Sequence, residues 1–65
     1  MKYEYEIYLN SLTEGCLVGT NGDKIFNTED EANKDALNFI IEDLSKEYEK
    51  FVNDFTIKVY EIDEK

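Results

Sequence analysis

The sequence predicts an α+β fold: a small, mainly antiparallel sheet of three to four strands with one long amphipathic helix packed on one face. Three observations predict it. Both ends of the chain alternate apolar and polar residues with a period of two. The middle carries one apolar stripe at helical spacing. The 65 residues, 42% apolar and including five Tyr and four Phe, suffice for one thin core and one domain, 1–65.

The elements follow in the order β-β-β-α-β. Tyr3, Tyr5, Ile7 and Leu9 fall on one face of a first strand, with Lys2, Glu4, Glu6 and Tyr8 on the other. Asn10 to Gly15 supplies turn residues, and Cys16-Leu17-Val18 a short second strand between two glycines. Thr20-Asn21-Gly22-Asp23 predicts a hairpin, because Asn-Gly tolerates the positive φ angles of a tight turn. A short third strand over Lys24 to Asn27 then carries Ile25 and Phe26.

Thr28-Glu29-Asp30-Glu31 reads as a capping box. The Thr28 hydroxyl takes a free amide near the helix start, and Glu31 reaches back to the Thr28 amide. Acids in the first turn suit the positive end of the helix dipole. The helix is expected from Glu29 to about Phe51, with Leu37, Ile41, Leu44, Tyr48 and Phe51 as its buried stripe, and Asn53-Asp54 ends it. Phe55, Ile57 and Val59 form the inner face of a last strand, and Thr56, Lys58, Tyr60 and Ile62 the outer face. Asp63-Glu64-Lys65 is a charged tail expected to fray.

Most reaction chemistry lacks its residues. The chain has no histidine, so the commonest metal ligand and the usual base for a Ser or Cys nucleophile are both missing. Cys16 is the only cysteine; it forms no intrachain disulfide and is expected to be a buried structural thiol. Ser11 and Ser45 read as turn and helix-surface residues. Gly19-Thr20-Asn21-Gly22-Asp23-Lys24 has the wrong spacing for a phosphate loop, and a strand follows where a helix is needed. With Glu31 at the twelfth position of a calcium loop, Thr20, Gly22 and Lys24 stand where acids are required. Acid pairs are guaranteed by sixteen acidic residues and so indicate nothing about hydrolysis. A binding role without cofactor, metal or enzymatic activity is the expectation.

Sixteen acids against seven lysines, with no arginine, give a net charge of -9. That disfavours direct binding to nucleic acid or anionic membranes and fits a basic protein surface as partner. No apolar run reaches the ~18 residues of a membrane span. The start, Met1-Lys2-Tyr3-Glu4, lacks the apolar core of a signal peptide, and a lone cysteine fits the reducing cytoplasm.

Three surfaces are candidates. On a helical wheel of ~100° per residue Phe39 points about 160° away from the stripe. It lies there among Asp35, Glu42, Asp43 and Glu49, with Lys46 and Lys50 further along the same ridge, as an aromatic anchor on a mostly acidic face that selects a basic partner. The acidic ridge of Asp35, Glu42 and Glu49 is too sparse alone for a nucleic-acid mimic, and Asp30–Lys34 and Glu42–Lys46 are expected to pair within the helix. On the outer sheet face Tyr8 and Tyr60 offer rings for stacking, beside a cross-strand Glu–Lys pairing.

In size, acidity and lack of arginine the chain resembles small phage proteins that block host defences, including anti-CRISPR and anti-restriction proteins. No motif of a named family accompanies that resemblance, so it assigns no site residue. It implies an inhibitor or modulator that occupies a basic, nucleic-acid-binding site of another protein. The alternative is a self-associating accessory domain, a homodimer with Phe39 or the far end of the helix in its seam.

Overall fold

The computed structural model describes residues 2–10 and 15–62. The turn residues 11–14, Met1 and the tail Asp63-Glu64-Lys65 lie outside the described residues. The architecture is α+β: an antiparallel sheet of three strands with one helix of 20 residues, 29–48. The strands are β1 (Lys2–Leu9), β2 (Cys16–Thr20) and β3 (Phe55–Ile62), in the spatial order β2-β1-β3. The first and last strands are neighbours and pair along their full length, from Lys2 opposite Ile62 to Leu9 opposite Phe55.

The inner face of the sheet is the one that alternation predicts. Tyr5, Ile7, Leu9 and Phe55 are buried, and Ile57 and Val59 pack against them. Burial of such side chains is the main stabilising contribution, about 1.5–3 kcal/mol each.

The expected third strand shrinks to one bridge, Phe26 opposite Tyr3. Asn21-Gly22 does turn the chain, with Gly22 at φ 61° and the Lys24 amide donating to the Asn21 carbonyl at 3.1 Å. It does not reverse it into a hairpin. Thr20 faces Glu6 and Phe26 faces Tyr3, so both sides of the turn follow the same edge of β1. The turn is an excursion in which one chain advances six residues while β1 advances three. Asn21, buried, bridges the gap: its Oδ1 accepts from the Tyr5 amide at 3.1 Å, and its Nδ2 donates to the Lys24 carbonyl at 2.5 Å. One side chain thus supplies both a donor and an acceptor that a continuous ladder would have supplied.

The helix begins as its capping residues predict. The Thr28 hydroxyl accepts from the Glu31 amide at 3.1 Å. Glu31 reaches one residue further back than expected, accepting from the Asn27 amide at 3.1 Å. The helix comprises α1 (Glu29–Phe39), a π turn (Ile40–Leu44) and α2 (Ser45–Tyr48). It stops before Phe51 because Glu49 adopts a left-handed conformation, φ 55°, and the Lys50 amide closes on the Ser45 carbonyl at 3.0 Å. A 3₁₀ turn (Val52–Asp54) then leads into β3.

The buried stripe is rotated from the expected one. Ala32, Ala36, Ile40 and Leu44 face the sheet, whereas Leu37, Ile41, Phe51 and Val52 are exposed, Phe51 at 80%. In a regular α-helix a four-residue spacing drifts by about 40° per step. The π turn, in which the Ser45 amide donates to the Ile40 carbonyl, turns less per residue and cancels the drift. The two alanines let the helix approach the sheet where β1 already presents Tyr5 and Ile7.

Cys16 is exposed rather than buried. It opens an edge strand, while the helix lies over β1 and β3. Among the described residues the ion pair is Lys24–Asp35, at 3.3 Å; Asp30–Lys34 and Glu42–Lys46 do not close. Among the described residues no helix is long and apolar enough to cross a membrane.

Candidate functional site

A groove of about 470 Å³ lies between the helix and the Thr20–Lys24 excursion. Phe39 and Tyr5 contribute to its lining, and Asp35, Asn38, Glu42 and Asp43 come from the helix. Its position follows from the sheet edge. β2 ends at Thr20, the excursion rises beside the helix, and the space between them stays open.

Phe39 is half-buried and belongs to the core as much as to the groove. A glycine makes room for it. A Cβ on Gly19 would stand 2.9 Å from Phe39 Cε2 and 3.3 Å from Leu44 Cδ1. The rotation of the helix brings Phe39 over β2, the reason it does not point away from the sheet. Asp35 is also partly internal. Its Oδ2 accepts from the Tyr5 hydroxyl at 2.8 Å and its Oδ1 from Lys24 Nζ at 3.3 Å. Burial first, and then the Asp35 hydrogen bond and charge, hold the Tyr5 phenol well above the usual tyrosine range. Glu42 and Asp43 are exposed. They sit in the π turn, the widened part of the helix, and π turns recur at functional sites.

Four expected partner-binding residues, Phe39, Asp35, Glu42 and Asp43, therefore line one groove. The other three lie elsewhere. Glu49 caps the end of the helix. Tyr8 and Tyr60 meet on the outer sheet face, where both hydroxyls donate to Glu6 Oε1, at 2.5 and 2.8 Å. Lys58 stands opposite Glu6 in the ladder, as a Glu–Lys pairing requires, but its Nζ lies 5.2 Å from the Tyr8 ring centroid, in cation–π contact. The Tyr8 hydroxyl chiefly, then the Tyr60 hydroxyl, holds the Glu6 carboxyl below its ordinary value. Reciprocally, the Glu6 hydrogen bond pushes the Tyr8 phenol up to about 12 and raises that of Tyr60.

Tyr5, Asn21, Lys24 and Asn38 join the groove without having been candidates. Asn-Gly marked the turn, but the alternation placed Tyr5 simply in the core. Its hydroxyl reaches out of that core to Asp35. Compared with known proteins, the chain matches no family model, no curated protein and no solved structure.

Proposed function

We propose that the protein is a non-enzymatic binding module whose groove receives a basic segment of another protein, inhibiting or modulating that partner. The observation that carries this reading is the convergence of Phe39 with Asp35, Glu42 and Asp43 on one open groove. An aromatic ring beside carboxylates suits a lysine or arginine side chain: the ring face attracts the cation, and the exposed Glu42 and Asp43 supply opposite charge, Asp35 being already paired with Lys24. The net charge of -9 adds long-range attraction for such a partner. A nucleic-acid-binding groove, rich in Lys and Arg, is the class of surface that matches.

The test is capture with the tagged full chain from its source cell, at low and at high salt. A basic protein is expected to be retained at ~50 mM salt and released at ~500 mM, because screening shortens the reach of exposed charges. The variant Glu42→Lys/Asp43→Lys, altered at two exposed positions, is expected to fold and to retain nothing. Equal retention by the variant and at high salt overturns the reading.

A further inference from the structure

Six asparagines occur in the chain, and Asn21 alone precedes a glycine. That dipeptide carries a reaction of its own. The backbone nitrogen of the following residue can attack the side-chain carbonyl carbon and close a five-membered ring, and glycine puts no Cβ in its path. The space beside Gly22 is open: a Cβ there would meet nothing within 4 Å.

The fold restrains both reacting groups. Asn21 is only 8% exposed. Its Oδ1 accepts from the Tyr5 amide of β1, and its Nδ2, the leaving group, donates to the Lys24 carbonyl. Ring closure makes Cγ tetrahedral and expels Nδ2, so it does not proceed with both bonds in place. The attacking nitrogen must lose its proton, and in the folded chain that amide is engaged by Thr20 Oγ1 at 3.2 Å. A reaction confined to the opened form runs at the open-chain rate multiplied by the fraction open.

We propose that Asn21 is a modification site gated by the fold. It converts to aspartate or isoaspartate only when the Thr20–Lys24 excursion opens, and the conversion removes one wall of the groove irreversibly. The Gly22 nitrogen bonds to Asn21 Cγ, the Cγ–Nδ2 bond breaks, and ammonia leaves with the proton of the Gly22 amide. Solvent water then opens the ring. Attack at Cγ gives aspartate, and attack at the former main-chain carbonyl gives isoaspartate. Asparagine and one water become an acid and ammonia, with no oxidant or reductant.

Neither product rebuilds the excursion. In the aspartate, the oxygen that replaces Nδ2 has no hydrogen at neutral pH and faces the Lys24 carbonyl. A donor and an acceptor become two acceptors. In the isoaspartate the main chain runs through Cβ and Cγ and is one atom longer. The carbonyl that accepts from the Lys24 amide at 3.1 Å becomes a carboxylate outside the main chain. Thr20, Asn21, Gly22 and Lys24 all line the groove, so the wall opposite the helix is lost with them.

The test is ageing of the full chain in mildly alkaline buffer, folded and in denaturant above its midpoint. Peptide mapping resolves asparagine, aspartate and isoaspartate at position 21. In the unfolded chain Asn21 is expected to convert ahead of the five other asparagines. In the folded chain it is expected to convert at least about tenfold more slowly. The converted chain and the variant Asn21→Asp are each expected to unfold at a lower denaturant concentration than the parent. An Asn21→Asp chain that does not fold shows the same loss at its limit, and the rate ratio in the parent then carries the test. Equal rates in the folded and unfolded chain, conversion of another asparagine ahead of Asn21, or a converted chain as stable as the parent each overturns the proposal. None of these outcomes depends on a partner in the groove.

Discussion

The two flanks of the helix solve the same problem differently. On the β2 side a large aromatic, Phe39, is folded into the sheet by a glycine that yields it space. On the β3 side two aliphatic residues, Leu37 and Ile41, stay in solvent although the sequence places them in the apolar stripe. The first flank has polar company: Asp35, Lys24 and Asn21 tie helix, excursion and β1 together through Tyr5. On the second, Leu37 lies beside Asp30, Asn33 and Lys34 of its own helix. Position on the helix, not hydrophobicity, decides which residue becomes core.

Substitution at Phe39 gives the largest contrast. Phe39→Ala is expected to cost ~2–3 kcal/mol, below the range for a fully buried Phe because the ring is half-buried. Chemical denaturation would read this as a lower midpoint at unchanged slope. A loss under ~0.5 kcal/mol would return Phe39 to the status of a surface anchor.

Gly19→Ala tests the same contact from the sheet. The added methyl meets Phe39 at 2.9 Å, so a cost of ~1–2 kcal/mol is expected from overpacking. Combining it with Phe39→Leu should cost less than the sum of the two changes, since the residues share one space. Strict additivity in that cycle would show that the ring moves aside freely.

Alkaline pH loosens the framed flank. The Tyr5 phenol is raised in the folded state, so its contribution is fully present below the ordinary tyrosine value near ~10 and lost as pH rises through the folded value. Tyr8 and Tyr60, also raised, add to the same alkaline loss from the outer face. Tyr5→Phe should therefore make stability fall less steeply above pH ~10. An unchanged pH profile in Tyr5→Phe would remove the Tyr5–Asp35 contact from the account. Glu6, being lowered, acts at the other end: its contribution is present above its unfolded value and fades as pH falls through the folded one.

The smallest effect belongs to the open flank. Leu37→Ser and Ile41→Ser are each expected to lower the stability of the monomer by ~1 kcal/mol, because each side chain is still more than half covered. Thermal melts at dilute concentration measure this. A loss above ~2 kcal/mol at either position would mean that the flank is core after all.

Much of this fold is legible in the residues, because period-two alternation in 2–9 and 55–62 admits one inner face each. The Thr28 cap and the Asn21-Gly22 turn are legible for the same local reason. The phase of the helix is not. Reading a regular α-helix through Leu37, Ile41 and Leu44 passes over the alanines, whose small size suits close approach to the sheet. It also has no signal for the π turn, which depends on the tertiary fit. Four groove residues were visible as an acid-ringed aromatic. The other wall was hidden, since Asn21 and Lys24 enter the groove through an excursion read as a hairpin, and Cys16 lost its cover because strand order left β2 at the edge.

The π turn has a consequence for the history of this chain. A helix widened by one residue can lose that residue without losing its phase. Deleting Glu42 or Asp43 would leave Leu44 three places after Ile40, still on the inner face, whereas a deletion in 30–38 would swing everything beyond it by ~100°. Homologous sequences are therefore expected to differ in length at 41–43 before anywhere else in the helix. The acidic rim of the groove sits on the one stretch that can be shortened or extended without disturbing the hydrophobic core.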